Sequence, residues 1–226
     1  MSKKLLLSSL VAISAVGGIW WYAGQSVTDL SPIASPATAQ ETTATTSSDI
    51  ALVPDMILGQ ENAPVTVVEY ASFTCPHCAN FHETVFDEFK KNYIDTGKVK
   101  FVYREVYFDK FGLWAAMVAR CGGPEKYFGV SDMLYDGQKD WLASGEEAGI
   151  ADALRKIGVT AGMTTDQVNA CLNDNAKAQA MVTAYQTNAT TDQVQSTPTF
   201  IINGEAHAGG MSYADFAALL DAKLAN

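Results

Sequence analysis

From Val65 to Tyr93 the chain passes through three patterns in quick succession, and few architectures accommodate them in that order. Val65-Thr66-Val67-Val68-Glu69-Tyr70 is β-branched and almost continuously apolar, the pattern of a strand buried on both faces. Phe73-Thr74-Cys75-Pro76-His77-Cys78 follows, and then Phe81, Val85, Phe86 and Phe89 recur at helical spacing. A strand that feeds a helix through so short a turn puts the residues of the turn at the helix N-terminus. Gly97 and Lys98 close the helical pattern. Val99 to Phe108 then reads as a second strand, with Val99, Phe101 and Tyr103 alternating against Lys100, Val102 and Arg104. The order implies a right-handed strand-helix-strand unit.

Beyond Phe111 the pattern is helical as far as about residue 193, with segments Trp114 to Arg120, Glu125 to Leu134, Glu147 to Ile157, and from Thr164 onward. Thr164 and Gln167 form a capping box that marks one helix start. Strand character returns at Thr199-Phe200-Ile201-Ile202. Asn203-Gly204 is a strong hairpin turn, which makes Glu205-Ala206-His207 the partner strand. Gly209-Gly210 interrupts the chain, and Ser212 with Asp215 caps a last helix carrying Phe216, Leu219, Leu220 and Leu224. The predicted fold over residues 50–226 is therefore α/β. It is a thioredoxin-like sheet of order βαβ then ββα, interrupted over about residues 111–193 by an all-helical subdomain.

The two cysteines at the first helix start carry the chemistry. Side chains at i and i+3 of a first helical turn approach one another, so Cys75 and Cys78 can form a disulfide with little strain. Pro76 suits the first turn, where its missing N–H leaves nothing unpaired. The unpaired N–H groups and positive end of the helix dipole favour a thiolate on Cys75, and His77 between the sulfurs can add charge or a hydrogen bond. Stabilising the thiolate stabilises the reduced pair, and such a pair hands on its disulfide readily. A bridge over so short a loop would be a poor structural staple. Zinc would need about four ligands, and no second Cys-x-x-Cys or paired-His motif exists; haem attachment needs His after the second Cys, where Ala79 stands. No metal and no cofactor are expected.

Composition bounds partners and location. The 226 residues hold 15 Lys and Arg against 25 Asp and Glu, a net charge of -10, which argues against nucleic acid, since phosphate binding needs clustered cations. Leu5 to Gly24 is uncharged and follows Lys3 and Lys4, the pattern of an export signal. Its length and Trp20, Trp21 and Tyr22 at its outer end favour a retained membrane anchor over residues 1–24. Ala37-Thr38-Ala39 offers a cleavage site if the segment is removed as a signal peptide. Residues 25–49, of which 17 of 25 are Ser, Thr, Ala or Pro, read as a flexible linker.

With Glu69-Tyr70-Ala71-Ser72-Phe73-Thr74 before it, the helical insert, and Ser196-Thr197-Pro198-Thr199-Phe200 after it, Cys75-Pro76-His77-Cys78 resembles the DsbA family of periplasmic thiol:disulfide oxidoreductases. The resemblance runs from about Asp55 to the C-terminus. It implies that Cys75 is the nucleophile, Cys78 the buried partner, Glu69 a buried acid that helps proton transfer at the inner sulfur, and Pro198 a cis-proline facing the dithiol. Read from the residues alone, a carboxylate in so apolar a strand is functional or paired unless it sits on an exposed edge, and Pro198 is cis unless it merely opens a strand. Thr197 departs from the best-known oxidases, which carry an apolar residue there; a hydroxyl close to the sulfurs would shift the redox balance.

The implied activity is oxidation of cysteine pairs in exported, unfolded chains in the periplasm, with reoxidation by a quinone-linked membrane partner of the DsbB type. The alternatives are an envelope isomerase or reductase, or a non-catalytic envelope chaperone on the same scaffold. A monomer is expected, with membrane contact only through the anchor. In an oxidising compartment Cys121 and Cys171 are expected to pair structurally, closing a loop of about 50 residues worth roughly 4 kcal/mol; the alternatives are two free buried thiols or a relay of electrons to Cys75. His82, one turn past Cys78, reads as a partly exposed surface group, and His207 as structural. Asn188-Ala189-Thr190 matches a glycosylation triplet that a bacterial-type protein would not use.

Overall fold

The apolar run of the first strand is explained by its place in the middle of a five-stranded mixed sheet of order β1-β3-β2-β4-β5. The structure, a computed structural model, describes residues 53–225. The apolar leader, the Ser/Thr/Ala/Pro linker and the Ala37-Thr38-Ala39 triplet lie outside the described residues. β2 (Val65–Ala71) runs parallel to β3 (Val99–Glu105), with Val67 opposite Phe101 and Glu69 opposite Tyr103. On its other side it runs antiparallel to β4 (Thr199–Ile202), with Glu69 opposite Phe200. A strand hydrogen-bonded on both edges and covered on both faces has no solvent side, so it needs no polar alternation.

β1 (Met56–Leu58) adds an antiparallel edge to β3, and β5 (Glu205–Ala208) adds the other edge to β4. The hairpin turn between β4 and β5 has Asn203 at φ 46° and Gly204 at φ 86°, the left-handed pair that a two-residue hairpin requires. Asn203 also ties this turn to β2: its Oδ1 accepts from the Thr66 N–H at 2.8 Å, and its own N–H donates to the Thr66 carbonyl at 2.9 Å.

One continuous helix, α1, occupies residues 76–94. It begins as α-helix (Pro76–Phe81), widens into a π-helical stretch (His82–Phe86), and after Asp87–Phe89 widens again over Lys90–Ile94. Its Phe81, Val85, Phe86 and Phe89 are buried. Phe81 and Phe89 meet Phe216 of the last helix, α8 (Tyr213–Leu224), edge-on at 5.5 and 5.0 Å.

The helical insert comprises α2 (Lys110–Cys121), α3 (Pro124–Asp136), α4 (Gln138–Leu142), α5 (Glu147–Thr160), α6 (Thr165–Leu172) and α7 (Asn175–Thr191). The Thr164–Gln167 capping box is formed in both directions, at 2.8 and 3.2 Å. Two boundaries differ from the sequence reading. β3 ends at Glu105 rather than Phe108, because Asp109 caps α2 by accepting from the N–H groups of Phe111 (2.8 Å) and Gly112 (2.9 Å). The single helix expected from Thr164 onward is two, because Asp174 caps a new one by accepting from Lys177 N–H at 2.9 Å.

A disulfide joins Cys121 at the end of α2 to Cys171 at the end of α6, with Cα atoms 5.8 Å apart and a sequence separation of 50. Replacing both cysteines by Ala is expected to lower stability by about 4 kcal/mol in the chain-entropy account. Urea unfolding of oxidised protein measures it, and a loss below about 1 kcal/mol would show that the bridge constrains little.

Candidate active site

The turn between β2 and α1 is held from several sides. Cys75 is the N-cap residue, with extended backbone (φ -84°, ψ 118°), and Pro76 follows at the first helical position. The Cys75 N–H donates to the Ser72 carbonyl at 3.0 Å, and the Cys75 carbonyl accepts from Ala79 at 3.1 Å. The Thr74 hydroxyl donates to Asp109 at 2.9 Å, which fastens the turn to the start of α2. α2 comes close enough that a Cβ on Gly112 would lie 3.2 Å from Ser72 Oγ, so glycine suits this approach. From α4, the buried Gln138 amide donates to the carbonyls of Phe73 at 2.8 Å and Cys75 at 3.0 Å.

Within this frame the two sulfurs stand in opposite electrostatic conditions. Cys75 and Cys78 are both free thiols and both buried. The Cys75 thiol is lowered to about 5, chiefly by a hydrogen bond from the Cys78 thiol, with burial opposing, and with further help from the Thr197 side chain and the backbone N–H groups of Cys78 and His77. Cys78 is pushed far up, first by burial, then by its role as donor to Cys75 and by the negative charge of Glu69. One sulfur is prepared as a thiolate nucleophile and the other as a proton-bearing partner. The asymmetry follows from the helix start: Cys75 faces unpaired N–H groups, whereas Cys78 lies one turn inside against the sheet.

The remaining residues singled out in the sequence fall around this pair. The Thr197–Pro198 peptide is cis, and the Thr197 carbonyl accepts from the Cys75 thiol at 3.5 Å. Pro76 and His77 are exposed on the rim, and His77 serves Cys75 through its backbone. Glu69 is wholly buried on β2, with no exposed edge. It meets His82, whose Nε2 lies 3.0 Å from Glu69 Oε2 and 3.2 Å from Oε1. His82 is therefore not the surface group expected. It lies on the buried face of α1 at the start of the π-helical stretch, where its ring stacks on Tyr135 at 4.2 Å and against Phe86 at 4.6 Å. Tyr135 and Tyr103 are hydrogen-bonded hydroxyl to hydroxyl. His207 lies on β5, 3.7 Å from Glu205, away from this cluster in the sheet order. Among the described residues no group of three His, Cys, Asp or Glu side chains is arranged to hold a metal ion, and no helix is long and apolar enough to cross a membrane.

A family model described as Thioredoxin matches residues 52–222. The chain belongs to the thioredoxin family. Proteins similar to it by sequence and by fold include ones named for disulfide bond formation and as DsbA. A putative protein-disulfide oxidoreductase of Rickettsia conorii is 37% identical over 151 residues, which make up 66% of this chain and 53% of that protein. The chain thus spans about half the length of such rickettsial relatives. Disulfide bond formation protein D of Bacillus subtilis is 29% identical over 154 residues, 65% of this chain and 67% of that protein. Among solved structures, alpha-DsbA1 of Wolbachia pipientis has a TM-score of 0.69 at 29% identity, covering 79% of this chain and 96% of that one.

Gln138 and His82 are participants in this thioredoxin-family site that escaped the sequence reading. Gln138 lies 60 positions from Cys78 in an unrecognised short helix, and no local pattern marks it. His82 did carry a signal: it stands four residues after Cys78 and four before Phe86, on the buried face of α1.

Proposed function

We propose that the protein is a thiol:disulfide oxidoreductase of the periplasm that introduces disulfides into exported, unfolded chains. The observation that carries this reading is the placement of the two sulfurs: Cys75 at the N-cap of α1 beside Thr197, and Cys78 wholly buried one turn inside, which lowers the Cys75 thiol to about 5 and raises Cys78. A reduced pair so stabilised is a good leaving product, and that makes the disulfide form an oxidant. In the forward reaction a client thiolate attacks Cys75 Sγ, the Cys75–Cys78 bond breaks toward Cys78, and Cys78 takes up a proton. A second client thiolate then attacks the client sulfur of the mixed disulfide and releases Cys75 as its thiolate. The client leaves with a disulfide and the protein with two reduced sulfurs, to be reoxidised by a quinone-linked membrane partner of the DsbB type.

The backbone beside Pro198 supplies the client's dock, since the Thr197 carbonyl already lies against Cys75 and an extended chain can pair there. The Thr197 hydroxyl bears on the rival isomerase or reductase reading, because it adds to the stabilisation of the Cys75 thiolate. That is the direction of a stronger oxidant. Equilibration of the purified protein with glutathione, together with oxidation of a reduced unfolded client, tests the reading. An oxidising potential and rapid client oxidation are expected, both lost in Cys75→Ser. A strongly reducing potential with repair of scrambled clients would establish the isomerase instead.

A further inference from the structure

His82 is a buried titratable group that the exchange steps leave without a task. Its side chain is 5% exposed and that of Glu69 is 0%. Two apolar residues of similar volume would serve stability as well as such a buried pair does. The pair sits where α1 first widens into π-helix, a feature frequent at functional sites, and where His82 meets the strand beneath the dithiol. The charged and titratable groups around it are Glu69 from β2, Cys78 from α1, Tyr103 from β3, and Tyr135 and Asp132 from α3. Nδ1 of His82 is buried with no hydrogen-bond partner among the described residues.

With Nδ1 unpartnered, Nε2 is the ring atom through which His82 acts, and its approach to both carboxylate oxygens fixes the direction in which Glu69 points. We propose that His82 is a positioning residue for proton transfer at Cys78: by bridging to Glu69 through Nε2 it orients the carboxylate to receive the Cys78 proton and to give it back. The inference rests on the oxidoreductase reading. During reoxidation, Cys75 is in a mixed disulfide with the external oxidant. The Cys78 S–H bond breaks, the proton passes to Glu69, the sulfur electron pair forms the Cys75–Cys78 bond, and the outer sulfur leaves as a thiolate. During client oxidation the Cys75–Cys78 bond breaks toward Cys78, whose sulfur takes the proton from Glu69.

The test follows resolution of the Cys75–glutathione mixed disulfide by rapid mixing of the reduced protein with oxidised glutathione over a range of pH. Wild type, His82→Phe and His82→Gln are compared, with alkylation of Cys75 and thermal melting as controls. Phe retains the stacking but not the bond; the Gln amide keeps a donor for Glu69. His82→Phe is expected to slow resolution about tenfold and to displace its pH profile, less than the ~100-fold that loss of an acid–base group itself produces. His82→Gln should recover most of the rate, with Cys75 alkylation unchanged in both. A Phe variant with the wild-type rate and profile, or equal loss in Phe and Gln, overturns the proposal. So does a wild-type resolution rate with no solvent deuterium effect, a measurement that needs no variant. A wild-type protein that forms no mixed disulfide overturns the oxidoreductase reading, and this one with it.

Discussion

Alkylation of Cys75 in the reduced protein is expected to titrate with a midpoint near pH 5, against about 8.5 for a free thiol. The stability of the two redox forms must then diverge with pH. The folded-state value lies below the unfolded one, so the thiolate stabilises the folded, reduced protein fully above the unfolded value. That stabilisation is lost as pH falls through about 5. At pH 7 it amounts to roughly 2–3 kcal/mol, present only in the reduced form, because the disulfide form has no thiolate. The same difference moves the couple about 60 mV toward oxidant. Reduced protein should melt roughly 5–10 °C above oxidised protein at pH 7, and the gap should close toward pH 5. An alkylation midpoint near that of a free thiol, or an oxidised form that is the more stable at pH 7, would remove the basis of the mechanism.

The second large effect lies where the helical insert meets the sheet. Arg120 and Glu105 form a bidentate ion pair, at 2.7 and 2.6 Å, with side chains only 6% and 4% exposed. The Tyr127 hydroxyl donates to the same carboxylate at 2.8 Å, and Arg120 also reaches the Pro54 carbonyl at 2.9 Å. Arg120→Leu leaves Glu105 charged, buried and held by Tyr127 alone, and is expected to cost about 3–5 kcal/mol. Arg120→Leu with Glu105→Leu removes both charges and should regain most of that loss. Urea midpoints of the four proteins in the cycle measure it. A double variant no more stable than the single one would show that packing, rather than the stranded carboxylate, carries the effect.

These residues mark where sequence rules stop. The strand-turn-helix at Cys75, the Asn203-Gly204 hairpin and the Thr164 capping box were legible because each is decided within a few residues by sterics or by a short hydrogen bond. β1 was not, because three residues become a strand only by pairing with β3, over 40 positions away. The fate of Arg120 and Glu105 likewise depends on two elements meeting, and nothing local separates them from a solvated pair. His82 shares the buried helix face of Cys78 and Phe86, but that Glu69 would meet it there depends on the strand packing beneath. At the site, the residue types at Glu69, Cys75, Cys78 and Pro198 were visible in the sequence, while Gln138, Tyr103 and Tyr135 reach it only through tertiary packing.

The bond from Gln138 to the Phe73 and Cys75 carbonyls makes the helical insert part of the foundation of the nucleophile rather than a detachable lid. Both carbonyls flank Thr74, and one amide group spans them. Any rocking of α4 against the sheet would pull on the backbone that sets the Cys75 sulfur against Thr197. A minimal version of this protein, trimmed to the sheet and its two flanking helices, would keep both cysteines and the loop before Pro198. It would nonetheless leave those two carbonyls without their donor. Under the proposed function, a client chain reaches the sulfur past the exposed Pro76 and His77 and the half-buried Thr197, without prising the two layers apart.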